Sequence, residues 1–249
     1  MIIGKNFFIT VFILLLIGGF VRFELPFLYK EKISPYSVYI NSGNIGVISD
    51  LHLDSNSRDL TFIGNYLSEK KIDYLVINGD LFDKKHNEKM ESVFLQEAMQ
   101  RLNINSQDSI KKIIYIPALY DHDPYLEKTL EYEINGVEFL VVKGMLRLIT
   151  PEASFYILHG DYILRHGFLA TIISILLPGS FEKIARRAIR TDQESWMVLA
   201  HSHISKIDQK QHLVNSGSWI TRVVPSSDTL VLIKIGQKPD VSLIKVISE

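Results

Sequence analysis

Short, unbroken apolar runs separated by polar turns dominate the first half of the chain. Residues 45–48, 74–77 and 112–116 each have the length and composition of a strand buried on both faces. Between them, residues 59–71 and 88–102 show helical spacing, with Leu60, Ile63 and Leu67 on one face of the first. This alternation predicts parallel β-α-β units, whose functional residues gather at the carboxyl ends of the strands. Residues 37–41 alternate like an edge strand. From residue 137 the pattern changes. Strands are expected at 137–142, 146–150, 154–158, 196–199, 212–214, 219–224, 229–235 and 241–246, joined mostly by short turns. One α/β arrangement satisfies both halves: two mixed sheets packed face to face with helices outside.

Two apolar segments stand apart from this pattern. Residues 7–21 are nearly uninterrupted, preceded by Lys5 and followed by Arg22. At about 1.5 Å per residue the run is short for a ~30 Å hydrocarbon core, unless Ile2 and Ile3 extend it and Lys5 snorkels. A cleaved signal peptide competes, but no Ala-x-Ala site follows, so residues 1–23 are read as an uncleaved membrane anchor and 24–36 as a linker. Arg22, Lys30 and Lys32 outweigh the basic groups before the run and place residues 37–249 on the cytoplasmic side. Residues 162–177 form the second apolar stretch. After Pro178-Gly179 comes a basic helix carrying Lys183, Arg186, Arg187 and Arg190, and the two together read as a helical cap at about 162–190. The plain alternative is a buried helix followed by a solvated one.

Composition narrows the function classes. The chain has 249 residues, 47% of them hydrophobic, enough for a sizeable core. A net charge of -1 gives no support to nucleic-acid coating, and none is expected as partner. Cysteine is absent, which excludes disulfides, thiolate ligands and cysteine nucleophiles. No internal repeat is present.

Ligand-type residues follow one apolar run after another: Asp50 and His52, then Asp80, then Asp121 and His122, then His159, then His201 and His203. Carboxylates suit Mn and Mg, while imidazole also suits Fe and Zn. Taken as extended segments, Asp50-x-His52 and His201-x-His203 present both members to one side. Each pair alone is more often an ordinary surface turn, His159 before Gly160 also reads as a satisfied core histidine, and Asp80 alone is as readily a helix cap; the ordered set argues for a centre of two divalent ions. His86, His166 and His212 have no such companions and are read as structural.

The ordered set resembles the calcineurin-like metallophosphoesterase superfamily: Asp-x-His, Gly79-Asp80-x-x-Asp83, a third motif ending His122-Asp123, a lone His159, then His201-x-His203. The resemblance covers about residue 45 to the end. It implies a four-layer α/β/β/α sandwich with a dinuclear site between the sheets. By position, Asp50, His52 and His203 would hold one ion, Asp121, His159 and His201 the other, and Asp80 would bridge. Within the superfamily the chain is most similar to the UDP-2,3-diacylglucosamine pyrophosphatase group. Ser49-Asp50-Leu51-His52-Leu53, Gly79-Asp80-Leu81-Phe82, His159-Gly160-Asp161 and Asn215-Ser216-Gly217-Ser218-Trp219 carry that likeness. The chain departs at Tyr120 and Asp121, where the superfamily has Gly-Asn, at Ala200 for glycine, and at His122, where the group commonly has arginine.

The expected chemistry is metal-assisted hydrolysis of a phosphate ester or pyrophosphate, with manganese foremost and Mg, Fe or Zn as alternatives. His122 would donate a proton to the leaving group, with Asp123 fixing its tautomer. Arg165, Arg186, Arg187 and Arg190 would meet phosphate, and the cap would receive the chains of a membrane-associated nucleotide-lipid. Two other readings stand beside this one: a phosphoesterase acting on soluble nucleotides or phosphoproteins, and a non-catalytic membrane scaffold that keeps the fold.

Overall fold

The computed structural model describes residues 2–29, 33–83, 88–105, 109–120, 122–236 and 239–247, with side chains from Thr10 onward. His86 and Asp121 lie outside the described residues. In chain order the elements are α1 (Ile2–Glu24), β1 (Tyr36–Tyr39), β2 (Asn44–Ile48), α2 (Phe62–Glu69), β3 (Tyr74–Asn78), α3 (Ser92–Arg101), β4 (Lys112–Ile116), β5 (Leu130–Ile134), β6 (Val137–Val141), β7 (Met145–Ile149) and β8 (Ser154–Leu158). Then follow α4 (Gly167–Leu176), α5 (Ser180–Ile189), β9 (Trp196–Leu199), β10 (Lys206–Asp208), β11 (Leu213–Asn215), β12 (Thr229–Lys234) and β13 (Asp240–Lys245).

Two mixed sheets form, as the patterning predicts. One has the order β13-β12-β2-β3-β4-β6-β5, the other β1-β7-β8-β9-β11-β10. The apolar runs are unbroken because each strand is covered on both faces. In β3 and β4, Val76 and Ile114 turn towards the second sheet and meet Leu148, Phe155, Ile157 and Val198. Leu75, Ile77, Ile113 and Tyr115 turn the other way, onto Ile63 and Leu67 of α2 and Leu95 and Met99 of α3. A third cluster covers the far face of the second sheet, where Leu158, Met197 and Leu199 meet Ala170, Phe181 and Ala185 of α4 and α5. Helix, sheet, sheet and helix therefore stack in that order.

Two sequence expectations need correction. Residues 219–224 form a loop, not a strand; the Trp219 amide donates to the Asp50 carbonyl, which turns the chain across the sheet ends. The segment read as a linker is also docked: Leu25, Phe27 and Ile33 pack against the third cluster. The N-terminal apolar run is helical in α1, with Phe12, Leu15 and Phe23 exposed. Among the described residues no single helix is long and apolar enough to cross a membrane.

The register of the first sheet places the site. β2, β3 and β4 are parallel neighbours, with Ile48 beside Ile77 and Ile77 beside Tyr115. Their carboxyl ends therefore lie side by side. In the second sheet β8 and β9 are parallel, with Ile157 beside Val198, and deliver His159 and the 200–203 loop.

Candidate metal centre

Backbone conformation is the first sign of a built site. Asp50, His52, Asp80, His201 and His203 all have positive φ, at 51°, 48°, 48°, 77° and 58°. Such left-handed conformations cost L residues roughly 1–3 kcal/mol each and persist where surrounding structure over-determines them. The expectation that Asp50-x-His52 and His201-x-His203 are extended is thus wrong in its reason. The members of each pair converge because the chain kinks at both, not because a strand alternates. The kinks are tied to each other: the Asp50 amide donates to the Gly79 carbonyl, and the His52 amide to the Asp80 carbonyl at 2.9 Å.

Gly79 is required on two counts. Its φ is +77°, and a Cβ there would stand 2.4 Å from the His159 ring. Gly79→Ala is expected to lose at least ~2 kcal/mol of stability through strain and displacement of His159. A thermal denaturation midpoint equal to wild type would contradict this.

Among the described residues the side chains gather into three groups: His52, Asp83 and His122 form one, and the other two, taken here as the ligand groups, share Asp80. Asp50, His52, Asp80 and His203 offer ligand atoms within 4.8 Å of one another, and so do Asp80, His159 and His201. His52 Nε2 lies 3.5 Å from Asp80 Oδ2, and His203 Nε2 lies 3.3 Å from Asp50 Oδ1. His159 Nε2 is 3.5 Å from Asp50 Oδ1 and 3.8 Å from Asp80 Oδ2. Asp50 Oδ1, His52 Nε2, Asp80 Oδ1 and His159 Nε2 are buried without a hydrogen-bond partner. Unpaired buried polar atoms cost about 1–3 kcal/mol each, so four converging on one point fit divalent cations. The donors, carboxylate oxygen and imidazole nitrogen, suit Mn, Fe or Zn.

Surrounding groups settle which nitrogen of three histidines faces inward. Asp83 Oδ1 lies 2.9 Å from His52 Nδ1 and accepts its proton, leaving Nε2 as the lone-pair nitrogen. His159 Nδ1 sits 3.1 Å from Asp161 Oδ1 as an ion-pair contact, and Nε2 is the nitrogen turned to Asp50 and Asp80. His201 is reversed: its Nε2 donates to the Leu164 carbonyl at 2.9 Å, so Nδ1 faces the cluster. Asp161 does a second job. Its Oδ2 accepts the amides of Leu119 and Tyr120 at 2.6 and 2.8 Å and so fixes the loop that leads to Asp121. Tyr120, where the superfamily has glycine, does not need positive φ.

The electrostatics match a concentrated cluster. Burial alone would raise the Asp50 carboxyl, but His203 and His159 hold it well below the usual carboxylate range. Burial would lower His159, yet Asp80 and Asp161 hold it well above the ordinary histidine value. His201 goes the other way, lowered to about 4 by burial and by neighbouring His159. Asp123 is raised to about 6 by burial and by Asp80.

His122 and Asp123 divide. The carboxylate against His122 Nδ1 belongs to Asp83, at 3.1 Å, and not to its sequence neighbour. Asp123 faces backbone: Oδ1 accepts the Leu81 and Phe82 amides and Oδ2 the Ala118 amide at 2.7 Å, which ties the β3 and β4 loops together. Asp83 is instead the hub, since it also accepts from Ser55 and from Arg222, whose Nη2 is 2.9 Å from Oδ1. Arg222 has no place among the sequence candidates, because it lies in the segment read as a strand.

A cavity of about 260 Å³ opens over the cluster, lined among others by His122, Arg165, His166, Phe168 and Arg222. The Arg165 guanidinium stands 5.0 Å from the Tyr120 ring centre. His166, read from sequence as structural, therefore borders the site. Arg186, Arg187 and Arg190 do not: they line a different concavity with Lys183 and Lys210. Arg186 is occupied there, its Nη2 donating to the carbonyls of Ser195 and His212 at 2.8 and 2.9 Å.

Comparison with known proteins agrees with this geometry at the level of family. No curated protein sequence matches the chain. Solved structures similar to it include Vps29 of Chaetomium thermophilum, 14% identical over 82% of this chain and 97% of that one, with a TM-score of 0.48. Another is Yfce, a phosphoesterase from E. coli, 16% identical over 82% of this chain and 100% of that one, with a TM-score of 0.44. Residues 43–219, which span every described residue of the cluster, match the calcineurin-like phosphoesterase family. This chain belongs to the calcineurin-like phosphoesterase family.

Proposed function

We propose that the chain is a divalent-metal-dependent hydrolase of a phosphate ester or pyrophosphate. The observation that carries the reading is the position of Asp80, the one carboxylate common to both ligand groups. Asp50, His52 and His203 are assigned to one ion, Asp121, His159 and His201 to the other, and Asp80 to both. Manganese is the first choice of metal. Two such ions lower the pKa of a water and neutralise charge as it develops on phosphoryl oxygens.

The remaining work falls to the chain's own groups. His122, with a third of its side chain exposed to the cavity, is positioned by Asp83 to give a proton to the leaving oxygen. Arg165 and Arg222 border the same cavity and supply planar, charged donors to phosphoryl oxygens. A pyrophosphate has enough oxygens to use both. Phe168 on the rim, the exposed Ile175, Leu176 and Leu177 of the α4 end, and the apolar α1 support a nucleotide-lipid as substrate, with the domain held at a membrane; Arg22, Lys30 and Lys32 after the apolar run support its cytoplasmic side. The motif likeness to UDP-2,3-diacylglucosamine pyrophosphatases supports the same substrate class.

The test is a panel of phosphomonoesters, phosphodiesters and detergent-dispersed nucleoside-diphosphate lipids, each with Mn, Mg and Zn. Metal-dependent turnover of the lipid pyrophosphates above the soluble esters is the expected result. Turnover of soluble nucleotides alone would keep the chemistry and remove the lipid. No turnover of any member would overturn both.

A further inference from the structure

The end of α1 reaches the metal cluster through a single peptide group. The Leu164 carbonyl accepts the Nε2 proton of His201 at 2.9 Å. The amide on the other side of the same peptide bond, that of Arg165, donates to the Glu24 carbonyl at 2.9 Å. One peptide plane is thus held from both sides, by the last residue of α1 and by a histidine of the cluster. Hydrogen bonds in such a chain polarise one another, so the outer bond strengthens the inner one. Glu24 makes a second tie one residue on. Its Oε1 lies 2.7 Å from His166 Nδ1, and His166 borders the cavity over the cluster. The Glu24 side chain is only 13% exposed, and the Leu25 and Phe27 that follow are packed into the third core cluster. These contacts make the tie part of the packed domain.

We infer that Glu24 is a positioning residue for the metal centre: its carboxylate holds His166 and so keeps the adjoining Leu164–Arg165 peptide, which its backbone carbonyl also holds, in the orientation that sets His201 and the rim that carries Arg165. The inference rests on the reading of the cluster as a metal site. It assigns a role to a residue 142 positions away in sequence from its partner. It also makes the N-terminal helix a working part of the site as well as an apolar segment. The Leu164 carbonyl is the outer partner of His201, and such partners typically govern 10–100-fold of metal affinity; Glu24 stands one contact further out.

The experiment uses the full chain in detergent, with wild type, Glu24→Ala and Glu24→Gln; both variants keep the backbone bond from Arg165 to the residue 24 carbonyl, so they read the side-chain tie to His166. Mn2+ binding by calorimetry and hydrogen exchange of the 163–168 segment are measured on each. The expected result for Glu24→Ala is one of two Mn2+ binding steps weakened ~10-fold, the lower end of that range, with faster exchange at 163–168. Glu24→Gln, whose amide oxygen still accepts from His166, should restore both. A role in stability alone would lower the denaturation midpoint of Glu24→Ala and leave its Mn2+ affinities at wild-type values, and that outcome overturns the inference. Unchanged exchange at 163–168 overturns it as well, whatever the metal does. Wild type that takes up no Mn2+ defeats the metal reading itself, and is told apart because it needs no substitution to appear.

Discussion

Asp80→Asn should cut metal-dependent hydrolysis about a thousand-fold and leave the fold in place. The amide is nearly isosteric with the carboxylate, so the β3 end keeps its shape. What goes is the charge common to both ligand groups, and with it one of the two oxygens that a bridging position needs. Electrostatic stabilisation by a metal pair is worth several kcal/mol; losing ~4 kcal/mol of it corresponds to about three decades in rate. Mn2+ titration should show one binding step where wild type shows two. Full activity in this variant would remove Asp80 from the centre, and the proposed chemistry with it.

Asp83 should behave differently from His122, although the two touch. His122→Ala removes the proton donor, an effect of about 10²–10⁴ in turnover, and should leave Mn2+ binding alone. Asp83→Ala removes the partner of His122 and, in addition, the group that fixes the His52 tautomer and accepts from Arg222. It should lose comparable turnover and also ~10–100-fold in metal affinity. The double variant should be little slower than the slower single one, because both remove the same proton transfer. Additive losses would mean that the carboxylate and the ring act on separate steps.

Much of the cluster was legible because each described ligand-type residue follows a run of apolar residues that only a doubly covered strand explains. Polar residues that end such runs have few places to go except the sheet edge. The partnerships were harder to read. Asp123 follows His122 in sequence, but its own carboxylate accepts three amides, and the orienting carboxylate came from another strand end. The basic stripe of α5 looked like a phosphate site; one of its arginines instead donates to the carbonyls of Ser195 and His212, just before β9 and β11. Arg222 was hidden because Trp219 to Val224 has a strand's composition while its backbone is pulled across the site by the Asp50 loop. The β5–β6 hairpin was overlooked despite a clear signal. Asn135-Gly136, both at positive φ, form the turn, and the two glutamates of β5 masked its role as an edge strand. The contact of Glu24 with residues 165 and 166 carries no local signature at all.

The five left-handed residues of the cluster, out of eleven such non-glycine residues among those described, have an implication for how such a chain changes over time. At each of them glycine would relax the backbone and delete a ligand in the same step. Stability by itself therefore favours erosion of this centre, one position after another, into a quieter and firmer sandwich. With aspartate or histidine at all five, this chain holds that backbone strain at the positions where its ligand-type side chains converge.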